Sequence, residues 1–234
     1  MPRIVAHRGA SGLVTHGNTI DAFDAAVAID CEWVEIDVRI TRDGTLVVHH
    51  DAVIRGVSIR DLDVEDAQQA AKQDGHDLQM LHDVLERYAK PLCFDIELKE
   101  AGYESLVLDT VRKTHTPDRV VYTSFLESAV AQLRQLAPES KTGLLLGHEM
   151  ADLFPCQRLI DCKASFAVPH RSMLGLGMLR RLRSMNLPVW VWTVNQPEPM
   201  RALMEAGVEG LITDRPDLAL AMRTTHRARM LGAS

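Results

Sequence analysis

Five side chains have types and spacing that could serve one reaction: Glu35, Asp37 and Glu97, together with His7 and His50. In the run WVEIDVRI, beginning at Trp33, the residues Glu35, Asp37 and Arg39 alternate with Val34, Ile36, Val38 and Ile40. Period-two alternation puts the acids on one face of a strand and the aliphatics on the other. The run PLCFDIELK, beginning at Pro91, repeats the pattern, with Asp95, Glu97 and Lys99 opposite Phe94, Ile96 and Leu98. Three unpartnered carboxylates facing an enclosed interior carry a large desolvation cost. A hard divalent cation, Mg2+ or Ca2+, removes that cost and leaves room for water and phosphate. The other reading of the same acids is a wet strand face, paired with Arg39 and Lys99.

Two histidines near neutrality can divide the proton transfers of phosphodiester cleavage, one taking a nucleophile's proton and the other protonating the leaving alkoxide. Each also reads as a structural or exposed histidine in a chain with ten. His49 competes with His50, although strand parity turns it the other way. Arg8, beside Gly9, suits bidentate contact with phosphate oxygens, and Lys99 supplies a second cation. Salt bridges to the nearby acids are the alternative for both. Trp192 reads equally as an apolar wall for the organic part of a ligand and as core. Asn195 follows the same strand end and could orient Trp192 or a loop.

These side chains need a frame that brings distant strand ends together. Strand-like runs separated by helical ones fall near residues 4–8, 33–38, 92–98, 120–125, 142–147, 159–164, 189–194 and 210–213. The turn at Arg42-Asp43-Gly44 folds 45–49 back on the second strand as a short hairpin, about 38–49, which delivers His49, His50 and Asp51 beside the acids. Eight strand–helix units point to a closed (β/α)8 TIM barrel; an open doubly wound sheet is the alternative. In the barrel, His7, Asp37, Lys99, Ser124, Trp192 and Asp214 all lie at carboxyl ends of strands, on one rim. The tail after Met222 reads as a helix fringe or a disordered end.

At 234 residues, 46% hydrophobic, the chain suits a single domain, 1–234, with one sizeable core. A net charge of -6 argues against binding nucleic acid through a broad phosphate-tracking surface. Cys31, Cys93, Cys156 and Cys162 are widely separated and read as buried thiols in a reducing compartment. No signal-peptide segment and no 18-residue apolar run is present, so the expected location is cytoplasmic, with no transmembrane segment. Dinucleotide and P-loop motifs are also missing.

His7-Arg8-Gly9, Asn18-Thr19, Glu35-Ile36-Asp37, His50-Asp51, Glu97-Leu98-Lys99, Trp192-Thr193-Val194-Asn195 and GLITDRP at 210–216 stand in a characteristic order and spacing. As a set, over nearly the whole chain, they resemble the glycerophosphodiester phosphodiesterases. The resemblance implies a barrel of the PLC-like phosphodiesterase type that hydrolyses glycerophosphodiesters to sn-glycerol 3-phosphate and an alcohol. It implies Glu35, Asp37 and Glu97 as ligands of a divalent ion, His7 and His50 as the acid/base pair, and Arg8 and Lys99 as phosphate contacts. It further implies that a glycerol hydroxyl attacks first, giving a cyclic phosphodiester that water opens. The partner would be a small-molecule glycerophosphodiester, and the protein a monomer or homodimer.

Two departures stand out. The family's Pro-Glu-Asn-Thr is His16-Gly17-Asn18-Thr19 here, so a rim carboxylate is missing at Gly17. The segment between Asp51 and Leu81 lacks the family's longer insertion, which implies a more open site. Two alternatives follow: a phosphodiesterase for lysophospholipids or another hydroxyl-bearing phosphodiester, and a non-catalytic phosphate-ligand binding barrel.

Overall fold

A parallel strand covered on both sides reads as nearly continuous apolar sequence, and polar residues inside one stand out. In the computed structural model, which describes residues 1–147, 155–230 and 232, eight such strands form the central sheet. They are β1 (Arg3–His7), β2 (Trp33–Ile40), β3 (Cys93–Leu98), β4 (Val120–Ser124), β5 (Lys141–Leu146), β6 (Phe166–Pro169), β7 (Trp190–Val191) and β8 (Gly210–Thr213). The ladders run in parallel from β6 back through β5, β4, β3, β2 and β1 to β8 and β7. Single bridges, Ala167 with Val189 and His170 with Trp192, bring β6 and β7 together and complete the ring.

Period two sorts the side chains. Val34, Ile36, Val38, Phe94, Ile96 and Leu98 point outward into the core shared with the helices. Trp33, Cys93, Val121, Phe166 and Trp190 point inward and fill the amino-terminal part of the barrel. Gly210 makes that plug possible: a Cβ there would overlap the Trp190 indole. Above the plug, the inward positions of β2 and β3 become Glu35, Asp37, Asp95 and Glu97, all buried. The sequence thus changes from apolar to acidic along the barrel axis.

The helices are α1 (Ile20–Ala28), α2 (Val64–Gln73), α3 (Leu81–Arg87), α4 (Glu104–Arg112), α5 (Glu127–Leu136), α6 (Pro155–Asp161), α7 (Leu176–Ser184), α8 (Pro197–Glu205) and α9 (Pro216–Met230). Thr19 caps α1, its Oγ1 accepting from the Ala22 amide at 3.3 Å. The expected hairpin is present: Leu46–Val48 runs antiparallel to β2, with Val38 opposite Val48 and Ile40 opposite Leu46. After it, a two-strand hairpin and α2 cover a small separate apolar cluster of Val47, Ile54, Ile59, Ala67, Ala71 and Leu78.

Two expectations are corrected. The apolar run at 159–164 is not a strand; it is the end of α6 and the loop after it, and the strand follows at Phe166–Pro169. Lys163, at φ 55°, breaks the run in the left-handed region. The tail after Met222 is helical and not a disordered end, because α9 continues to Met230. The four cysteines are free and buried. Among the described residues, no helix is long and apolar enough to cross a membrane.

Candidate active site

β2 and β3 pair in register, with Glu35 beside Asp95 and Asp37 beside Glu97. One carboxylate oxygen from each of Glu35, Asp37 and Glu97 lies within 4.8 Å of the others. Glu35 Oε1 is buried with no hydrogen-bond partner, and Asp37 Oδ1, also buried, has only the Lys99 ammonium beside it. Buried acceptors are normally satisfied, so an orphaned Glu35 oxygen within a cluster of three acids fits the coordination shell of a hard cation.

The acids titrate as such a crowd should. Burial, reinforced by Asp37, pushes Glu97 up to about 7 against the pull of Lys99. Burial and the charges of Asp37, Glu97 and Asp95 raise Glu35 well above the usual carboxylate range. Asp37 goes the other way: burial opposes ionisation, but Lys99 and Arg8 overcome it and hold Asp37 to about 2. Lys99 Nζ lies 3.2 Å from Asp37 Oδ1 and 2.6 Å from Glu97 Oε1, and Arg8 Nε lies 3.2 Å from Asp37 Oδ2. Arg39, offered by the sequence as a partner for the acids, turns instead to Glu100 and to the His50 carbonyl.

The two histidines are held alike. His7 Nδ1 lies 2.6 Å from Asp214 Oδ1, and its Nε2 is 3.9 Å from Glu35 Oε2. Burial works against ionised Asp214, yet bonds from His7, Asn195 and Ser11 hold it to about 2. An ionised carboxylate only accepts, so His7 carries its proton on Nδ1 and offers Nε2 to the site. His50 Nδ1 lies 2.7 Å from Asp51 Oδ1, which leaves its Nε2 free as well. Burial, with the charges of Lys99 and Arg8, lowers the His50 pKa, and Asp37 opposes that shift. His49 parts from His50 as parity requires: its ring stacks on His76, which stacks on His16, with centroids 5.8 and 5.2 Å apart. Burial and the neighbouring His76 lower His49 to about 4, so it stays uncharged near neutrality.

Several supports were not legible in the sequence. Asn195 orients Asp214 rather than Trp192: its Nδ2 donates to Asp214 Oδ2 at 2.5 Å, and its Oδ1 accepts from the Asp214 amide at 2.9 Å. Asn18 donates to Asp37 Oδ2 at 2.8 Å, and the Arg8 amide donates to Glu35 Oε2 at 2.9 Å. Asp95, one layer deeper, accepts from Thr123 Oγ1 at 2.7 Å, and burial pushes it up to about 8. Ser124 is structural, donating to the Leu98 carbonyl. Trp192 is half-buried on the rim against Phe125 and His170, with its indole N–H on the Val168 carbonyl. At Gly17, a Cβ would lie 2.8 Å from Arg8 Cβ, so the glycine leaves space for the Arg8 side chain as it lies here.

The profile described as the Glycerophosphoryl diester phosphodiesterase family matches residues 7–218. A glycerophosphodiester phosphodiesterase of Caldanaerobacter subterraneus subsp. tengcongensis is 27% identical, with 92% of this chain and 94% of the relative covered. The solved glycerophosphodiester phosphodiesterase of Thermotoga maritima is 26% identical at a TM-score of 0.80, covering 95% of this chain and 98% of that one. A phosphodiesterase of Oleispira antarctica, solved with the product sn-glycerol-3-phosphate, shares the fold at a TM-score of 0.81 and 21% identity, covering 94% and 96%.

Proposed function

Since the chain belongs to the glycerophosphoryl diester phosphodiesterase family, we propose that its barrel acts as a single unit hydrolysing glycerophosphodiesters to sn-glycerol 3-phosphate and an alcohol. The observation that carries this reading is the buried cluster of Glu35, Asp37 and Glu97, with Glu35 Oε1 left without a partner, beside His7 and Arg8. Glu35, Asp37 and Glu97 would hold a divalent ion, Mg2+ or Ca2+. When bound, the ion polarises a phosphoryl oxygen and lowers the cost of charge at the attacked phosphorus.

The charge count supports a phosphodiester as ligand. Three carboxylates against Arg8 and Lys99 leave one net negative charge. A divalent ion turns that into one net positive charge, which a phosphodiester monoanion neutralises. Arg8 and Lys99 then exchange part of their contact with Asp37 for phosphate oxygens. His7 and His50 each present a free Nε2 behind an Nδ1 held by a carboxylate. One takes the proton of the attacking glycerol hydroxyl; the other gives a proton to the departing alcohol oxygen. In the second stage the roles reverse, as water opens the cyclic diester. Asp214 and Asp51 keep each ring in the productive tautomer and stabilise its protonated form.

One observation favours a second substrate class. Trp192, Phe125 and His170 form an aromatic wall on the same rim, which suits an acyl-bearing substrate such as a lysophospholipid. A panel of glycerophosphocholine, glycerophosphoethanolamine, glycerophosphoglycerol and a lysophospholipid, assayed in EDTA and then with Mg2+ or Ca2+, tests both. The proposal expects no turnover in EDTA, recovery with the ion, and fastest release of glycerol phosphate from a glycerophosphodiester. Full turnover in EDTA contradicts it, and preference for the lysophospholipid moves the assignment to the second class.

A further inference from the structure

The opposite, amino-terminal end of the barrel carries a polar cavity of about 460 Å3. Four cations line it: Arg3 at the start of β1, Lys90 and Arg119 in the loops before β3 and β4, and Arg223 from α9. Among the described residues, none of the four has a carboxylate partner within 4.0 Å, in a chain whose net charge is -6. The other lining charges are Glu32 and Asp118. Glu32 Oε1 faces the Cys93 thiol at 3.9 Å, and Asp118 accepts from Thr116 Oγ1 at 2.5 Å.

Two of the cations, Arg3 and Arg119, are held in place by something other than acids. The Arg3 guanidinium stacks over Trp33 at 5.2 Å and Trp190 at 5.8 Å. Arg119 Nη2 donates to the Lys90 and Leu92 carbonyls at 2.8 and 2.7 Å. Four cations without carboxylate partners around one open cavity call for an oxyanion. Four cations against two acids leave a lining charge of two, which a phosphate dianion matches. Arg3 already covers the tryptophan faces, so no base-stacking platform is offered. The volume suits a small molecule rather than a polymer.

We propose that this cavity binds the phosphate dianion of a small molecule, either inorganic phosphate or a phosphomonoester, independently of the carboxyl-end site. Four residues of strand, from Arg3 to His7 or from Trp33 to Asp37, separate the two sites by about 13 Å. The proposal does not depend on the reaction assigned above.

The test uses the full chain with Mg2+ and titrates inorganic phosphate and sn-glycerol 3-phosphate in parallel, by calorimetry and tryptophan fluorescence. Arg8→Gln weakens the carboxyl-end site, and in that background phosphate binding is expected to persist and to change the emission of Trp33 and Trp190. Adding Lys90→Gln and Arg223→Gln, which remove no contact described above, should weaken the remaining binding about tenfold or more. The same pair in the Arg8-intact protein should leave hydrolysis unchanged. Tighter binding of one titrant identifies the source of the phosphate. Loss of all binding with Arg8→Gln alone overturns the proposal. So does a pair effect within about twofold. If the pair does not fold, Arg223→Gln alone must still weaken binding by about threefold or more.

Discussion

At the scale of single residues, the carboxylates of the site fall into two arrangements. Glu35, Asp37 and Glu97 gather within 4.8 Å of one another with Glu35 Oε1 unsatisfied, whereas Asp214 and Asp51 each hold one imidazole. Removing a proton carrier should cost more than removing its support. His7→Ala and His50→Ala are each expected to lower kcat by about 10²–10⁴-fold with an unchanged melting temperature. Asp214→Asn should lose about 10–100-fold, because the amide no longer favours the Nδ1–H tautomer. Steady-state kinetics with thermal melts checks both, and near wild-type kcat in the two alanine variants would remove the proton-transfer roles. The acids were legible because a carboxylate every second residue in a buried strand is an anomaly that period two exposes. Asp214 as the partner of His7 was not, because 207 residues separate them and only barrel closure brings them together.

At the scale of elements, the site exists because β2 and β3 change character along their length. Tryptophan and cysteine plug the barrel below, and acids face the mouth above. The plug is packed tightly enough that Gly210 admits no side chain beneath Trp190. Gly210→Ala is therefore expected to destabilise the protein by about 1–3 kcal/mol, read as a lowered urea midpoint with an unchanged slope. An unchanged midpoint would mean that Trp190 has room to move. Most barrel strands were readable from alternation, but β6 was not. Leu159, Cys162 and Ala164 are apolar because α6 and its exit loop bury them, and a short apolar run does not separate helix from strand. β7 forms a ladder over only Trp190–Val191, because its link to β6 rests on single bridges.

At the scale of the whole molecule, three buried acids set against each other make stability depend on pH and metal. Glu97 rises from 4.5 to about 7 and Asp95 from 3.8 to about 8, and Glu35 is raised too. The folded chain therefore holds protons that the unfolded chain has released. That contribution is fully present below the unfolded values and is lost as pH rises through about 7 to 8. Without metal, the melting temperature should fall by on the order of 5 °C between about pH 6.5 and pH 8.5, above the range where the lowered pKa of His49 acts with the opposite sign. A divalent ion stabilises the ionised cluster, so added Mg2+ or Ca2+ should raise the melting temperature more at the alkaline end. Scanning calorimetry across that range checks the sign. A metal-free protein that gains stability toward pH 8.5 would mean that these carboxyls are not held protonated.

Anomalous diffraction from a crystal soaked in Mn2+, which takes the same oxygen ligands, tests the central arrangement most directly. One anomalous peak should be bounded by Glu35, Asp37 and Glu97, with His7 and His50 on either side. No peak there under saturating Mn2+, or a peak held by other residues, would contradict the account.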